Sequence, residues 1–205
     1  MHRSIFARLV LALSLLVLLP ATAGAQDAVD SFHLGWQHDN GLGVRRDGYA
    51  AQQLYAIAAK ANITLAKNNL AYLWGRQNGL LEEALCLSAE TLKVEPHNAY
   101  YLDTYGFILL RLNRQNDAQH FFEKALQEKP DYDDALEHLG DIAQMNGDHA
   151  TARSFWQRAL AVARADHKAD HMVKKLAGKP NDFNEHAPFK LDNNGFGKDC
   201  AMPTV

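Results

Sequence analysis

A spacing of 34 residues recurs through the middle of the chain and constrains it more than any other feature. Gly106 and Gly140 stand 34 apart, as do Leu102 and Leu136, Ala118 and Ala152, Phe122 and Trp156, and Ala125 and Ala159. The stretches that hold them, "YGFILLRLNRQNDAQHFFEKAL" and "HLGDIAQMNGDHATARSFWQRAL", each read as two short amphipathic helices around a polar turn. A helix pair this small cannot bury both of its apolar stripes. The repeat therefore predicts a continuous array in which each pair is covered by the next. The small residues let helix axes approach, and Phe122 or Trp156 fills the space between neighbouring units. Asn98 and Asp131 are placed to cap first helices and Asp148 a second helix, with Pro130 in the turn between units.

A third unit precedes these, "NNLAYLWGRQNGLLEEALCLSAETLKVEP". Ala84 and Pro96 keep the 34-residue offset from Ala118 and Pro130, whereas Leu70-Ala71 stand 35 before Tyr105-Gly106. The turn around Gly79 is thus predicted to carry one extra residue.

On these residues the chain resembles the tetratricopeptide repeat. The matching positions are Gly106, Leu109, Ala118, Phe122, Ala125 and Pro130 in one unit. In the next they are Gly140, Ala152, Trp156 and Ala159, with Arg164 where the family often has proline. That departure fits a terminal repeat whose last helix runs on. The first segment, "FHLGWQHDNGLGVRRDGYAAQQLYAIAAKA", resembles the Sel-one-like repeat through Leu34, Gly35, Gly41, Gly43, Val44, Asp47, Ala50, Tyr55, Ala58 and Ala59. Its loop glycines can take positive φ, and Asp47 is a candidate cap.

The resemblance implies an all-α, right-handed α-solenoid of about four helix-turn-helix repeats, followed by a capping helix and an irregular C-terminal tail. The expected divisions are a Sel-one-like repeat at 26–62, tetratricopeptide-like and tetratricopeptide repeats at 63–97, 98–131 and 132–165, a capping helix at 166–178, and the tail at 179–205.

Residues 1–25 stand apart. His2, Arg3 and Arg8, an apolar run from Leu9 to Leu19 and Ala23-Gly24-Ala25 make a signal peptide cut before Gln26. Export is therefore expected, to the periplasm of a bacterial cell or beyond it. The chain has a formal charge of −3, and losing the leader removes two arginines and makes it more acidic. A mildly acidic chain without a basic block gives no electrostatic footprint for nucleic acid or anionic lipid. No membrane insertion of the mature chain is expected. Cys86 and Cys200 are the only cysteines, and in an exported chain such a pair is expected to form one bridge. That bridge would dock the tail, whose Phe183, Phe189, Leu191 and Phe196 are more than a disordered linker needs.

No catalytic set is legible. There is no G-x-S-x-G serine, and the carboxylates Glu82-Glu83, Asp133-Asp134 and Glu137 fall in caps and on helix surfaces. Neither an enzyme nor a cofactor is implied. His167 and His171, one helical turn apart, are weak metal candidates and carry the alternative reading of a metal-binding or metal-sensing exported protein. The favoured reading is a non-catalytic scaffold or adaptor that binds a peptide or protein partner. In the resembled family, ligands lie against the first helix of each pair. By repeat position this implies Asn68, Tyr72 and Arg76, then Tyr100, Asp103, Phe107 and Arg111, then Asp134, Glu137, His138 and Asp141. Aromatic and arginine side chains there suit binding hot spots. The acidic C-terminal end favours a partner of basic or mixed character.

Overall fold

The computed structural model describes residues 24–163, 166–178, 190–198, 200 and 203. Residues 1–23, the greater part of the segment 1–25 read as a signal peptide, lie outside the described residues, as do Arg164, Phe183 and Phe189. Those described form nine helices and no strand: α1 (24–40), α2 (Gly48–Lys60), α3 (Thr64–Arg76), α4 (Leu81–Val94), α5 (Ala99–Arg111), α6 (Gln115–Glu128), α7 (Asp133–Met145), α8 (His149–Val162) and α9 (Asp166–Leu176).

Each helix follows from an apolar stripe at helical spacing. In α6 the buried residues are Ala118, Phe121, Phe122 and Ala125, an i, i+3, i+4, i+7 set with polar residues around it. Caps fix several starts. Asp47, Asn98 and Asp148 accept backbone N–H bonds from Ala50, Tyr100 and Thr151, each at 3.0 Å. The cap of α7 is a correction to the sequence reading. It falls on Tyr132 rather than Asp131, and no side chain caps it. The Tyr132 ring is drawn into the core at 6% exposure, and Asp133 and Asp134 supply negative charge in the first turn instead. Between α1 and α2, Gly41 and Gly43 take φ of 68° and 76°.

The helices pair as α1–α2, α3–α4, α5–α6 and α7–α8, and each second helix packs on the next pair. Pairs close tightly where a side chain is missing. A Cβ on Gly106 would lie 2.9 Å from Phe122 and 3.2 Å from the Ala118 carbonyl oxygen. On Gly140 it would lie 2.5 Å from Trp156 and 3.2 Å from the Ala152 carbonyl oxygen. The α3–α4 turn spans 77–80 where the next two turns span 112–114 and 146–148, so the extra residue is there. Leu80 absorbs it with φ of 53°, while left-handed Asn78 at 54° has its counterparts in Asn113 at 60° and Gly147 at 78° in the shorter turns.

The first helices α3, α5 and α7 touch one another in order, which places them on the inside of a right-handed array. One apolar core runs through the stack from Ala51 to Ile142, and a smaller one closes the end. There α9 departs from the sequence reading. The last helix of the fourth pair does not run on: α8 stops at Val162, and Ala163 is extended at φ −59°, ψ 127°. The break lets α9 fold back to where a fifth pair would begin. Its Met172, 2% exposed, covers the Trp156 and Ala159 side of α8.

The tail returns to the other end of the molecule. Leu191 and Phe196 pack on the main core, and a disulfide joins Cys200 to Cys86 of α4 with Cα atoms 5.3 Å apart.

Candidate functional site

The inner face is built by α3, α5 and α7, and its centre is an aromatic ladder. Tyr72 and Phe107 lie 5.2 Å apart between ring centroids, and Phe107 and His138 stack at 5.4 Å. The His138 ring also stacks with Phe122 at 4.8 Å. Below the ladder, Arg76 sits over the Tyr72 ring at 5.1 Å and bonds Asp39 of α1 at 2.6 Å, tying the first pair to the second. Above it, Tyr100 is half exposed, edge-on to Tyr132 at 5.0 Å. The Lys129 ammonium covers both rings and donates to the Tyr100 hydroxyl at 2.9 Å.

Polar groups are buried between these rings. Asn68 and Asp103, read from sequence as part of the exposed face, are 7% and 3% exposed, because adjacent first helices pack closely at their level. Asp103 Oδ2 accepts from the Tyr132 hydroxyl at 3.5 Å and lies 3.9 Å from His138 Nε2. The other carboxylate oxygen, Oδ1, has no hydrogen-bond partner, and neither has Asn68 Oδ1. Burial pushes the Asp103 carboxyl well above the usual carboxylate range, and nearby Asp134 pushes the same way. Burial moves His138 in the opposite sense for its charge, toward the neutral ring, against the pull of Glu137 and Asp141. Tyr72 and Tyr132 are likewise held as phenols by burial.

The acidic end of the face is met by cations from α9. Lys168 Nζ reaches Asp133 at 3.0 Å and Asp134 at 2.7 Å. His171 Nε2 lies 2.8 Å from Glu137 Oε1, and Lys175 Nζ lies 2.6 Å from the same oxygen and 2.5 Å from Asp141 Oδ1. Burial alone would raise the Glu137 carboxyl; the His171 hydrogen bond and the Lys175 charge outweigh it and bring it to about 2. Arg111 closes the row as an exposed residue at the end of α5.

Of the sequence-derived set, the structure thus brings Tyr72, Arg76, Asp103, Phe107 and His138 together and leaves Tyr100 and Arg111 open. It pairs Asp134, Glu137 and Asp141 within the chain. Lys168 and Lys175 were not singled out from sequence, although each lies 34 residues from its acidic partner, the repeat distance itself. Of the metal candidates, His171 is 12% exposed against Glu137, and the His167 side chain lies outside the described residues. Among the described residues no group of three or more His, Cys, Asp or Glu side chains gathers to hold a metal ion.

No protein-family profile matches the chain, and no curated protein sequence matches it. Solved structures do. The chain is similar to MamA residues 41 to the end from Desulfovibrio magneticus RS-1, with 18% identity, 68% of this chain and 77% of that one covered, and a TM-score of 0.54. It is similar to another MamA crystal structure at 16% identity, covering 75% and 84% of the two chains with a TM-score of 0.51. A tetratricopeptide repeat protein from Parabacteroides merdae shares 20% identity over 75% of this chain and 61% of that one, at a TM-score of 0.49. At such identities the likeness is one of architecture. The chain has a tetratricopeptide-like helical-repeat fold.

Proposed function

We propose that the chain is a non-catalytic interaction scaffold whose inner face takes up a peptide segment of a partner protein. One observation carries this reading. The row of Tyr72, Phe107 and His138 is bordered by two buried oxygens, Asn68 Oδ1 and Asp103 Oδ1, that no group among the described residues satisfies. Buried acceptors of this kind are rare because each costs about 1–3 kcal/mol. Flat ring faces of this kind suit the apolar anchor of a bound segment, and the two sealed oxygens would take its donors only where the adjacent first helices part.

The finer elements of the proposal rest on separate grounds. The left-handed Gly41 and Gly43 and the Asp47 cap support a Sel-one-like first unit. The Cys86–Cys200 bridge is of a type that persists in oxidising compartments, which supports reading residues 1–25 as an export signal and the periplasm as the destination. No described helix is long and apolar enough to cross a membrane.

The test is photocrosslinking in the native compartment from a probe at exposed Tyr100 on the inner face, with a matched probe at exposed Glu123 of α6 on the outside. A defined protein captured from Tyr100 and not from Glu123 supports the reading. Capture from Glu123 alone contradicts it.

A further inference from the structure

Residues 190–198 and Cys200 lie across the seam of α2, α3 and α4. Leu191, partly buried, packs against the core over Gly79, where a Cβ would crowd its Cδ1 methyl. A tight turn follows, with the Phe196 N–H donating to the Asn193 carbonyl at 2.8 Å and Asn194 and Gly195 left-handed at φ 53° and 80°. The turn returns Phe196 to the surface of α3, edge-on to Trp74 at 6.1 Å, with the Lys60 ammonium 6.0 Å from its ring centroid.

Between these anchors the strap is read through its backbone by one side chain. Gln52 sits on α2 and is fully buried, with Ala51, Tyr55 and Ala56 buried around it in sequence, whereas its neighbour Gln53 is only partly buried. Its Oε1 accepts from the Trp74 indole N–H at 2.8 Å and from the Asp192 N–H at 3.1 Å, and its Nε2 donates to the Lys190 carbonyl at 3.4 Å. An indole can only donate, so Trp74 fixes which end of the amide is oxygen and aims the group at the strap. A buried glutamine is costly unless its hydrogen bonds are made, and two of its three partners here are strap backbone groups. Backbone recognition of this kind depends little on sequence. Selectivity comes from the Leu191 and Phe196 seats.

We propose that this seam is a second peptide-binding site, separate from the inner face. Its ligand is a peptide loop with a leucine and a phenylalanine five residues apart across a tight turn, and residues 190–198 occupy it in cis. The Cys86–Cys200 bond controls access. While it is closed, the strap is tethered and a competing peptide is excluded. A dithiol reductant supplies two electrons and two protons, leaving Cys86 and Cys200 as thiols and closing its own sulfurs to a disulfide. The strap is then held by non-covalent contacts alone and exchanges with peptides of the same pattern.

The test uses a fluorescent synthetic peptide with the sequence of residues 190–198 and the full-length protein. Its receptor is a strap-disabled form carrying Leu191→Ala, Phe196→Ala and Cys200→Ser. Anisotropy titration is expected to show at least tenfold tighter binding to this form than to the oxidised wild-type chain. A peptide with both anchors changed to alanine is expected to bind at least tenfold more weakly. Adding Gly79→Val to the receptor puts a Cβ in the leucine seat, where that atom meets only Leu191 within 4 Å, and is expected to lower affinity with helical circular dichroism unchanged. Equal affinity for the oxidised wild-type chain and the strap-disabled form overturns the proposal. So does absence of binding by a strap-disabled form whose helical circular dichroism matches wild type, or affinity unchanged by Gly79→Val.

Discussion

The Lys175 ammonium lies 2.5 Å from Asp141 Oδ1, a residue 34 positions upstream, and so binds the closing helix to the first helix of the last pair. Lys168 with Asp134 and His171 with Glu137 repeat the same offset. The apolar contact of α9 is small: Met172 is buried against Leu136 and Ala143 of α7, Leu176 is partly buried and Val173 faces outward. Ion pairs therefore supply much of its seat on α7.

That makes α9 docking sensitive to pH in a defined direction. Glu137 is held at about 2, below its ordinary 4.5, so its contribution is full above pH 4.5 and is lost as pH falls toward 2. A shift of that size corresponds to roughly 3 kcal/mol at most, since one pKa unit is about 1.4 kcal/mol. At the alkaline end the sign reverses. Burial would lower the Lys168 pKa, but Asp134 and Asp133 hold it up at about 12, so its pairing survives until pH rises past its unfolded value of 10.5 toward 12. Hydrogen exchange should show residues 166–178 losing protection between pH 4.5 and 2 while α5 and α6 keep theirs. Glu137→Gln should produce the same loss at pH 7.

Asp103 is expected to cost stability rather than supply it. Burial raises its carboxyl pKa, so its favourable contribution is present below the unfolded value and is lost as pH rises through the folded one. Asp103→Asn removes the titration and keeps an acceptor for the Tyr132 hydroxyl. The variant should be more stable than wild type at pH 7–8 by about 1–2 kcal/mol in urea unfolding, with the gain shrinking toward pH 4. If Asp103 serves the inner face, the same change weakens partner binding, the usual trade between stability and function.

The close approach of α5 and α6 is the most exposed point of the packing argument. Gly106→Leu places a side chain against the Ala118 carbonyl oxygen and the fully buried Phe122 ring. Overpacking of this kind costs about 1–3 kcal/mol, more than the roughly 1 kcal/mol of helix propensity gained by replacing glycine. A lowered urea midpoint is expected, and an unchanged or raised one would mean the pair can spread without loss.

These packing features were legible in the sequence because they repeat. Gly106 with Gly140 and Phe122 with Trp156 gave the period, and the period gave the helix pairs and the extra residue near Gly79. The inner face was legible only in outline. Repeat position identified Tyr72, Phe107 and His138, but not that Asn68 and Asp103 sink between neighbouring helices, since burial there depends on how closely α3, α5 and α7 approach. The seat of the strap was not legible. Gln52 reads in sequence as one of two adjacent glutamines on a helix, and its partners Lys190 and Asp192 lie 138 and 140 residues away with no periodic relation to it.

The most direct measurement for the inner face is the affinity of the partner captured from Tyr100 for wild-type chain, Tyr100→Ala, Tyr72→Ala and the outer-face control Glu123→Ala. Removing an aromatic hot-spot contact costs about 2 kcal/mol or more, roughly a thirtyfold loss. Dissociation constants raised at least tenfold by the two tyrosine changes and unmoved by Glu123→Ala are the expected result. Wild-type affinity in both tyrosine variants, with loss in Glu123→Ala, would place the partner on the outside of the array and contradict the account.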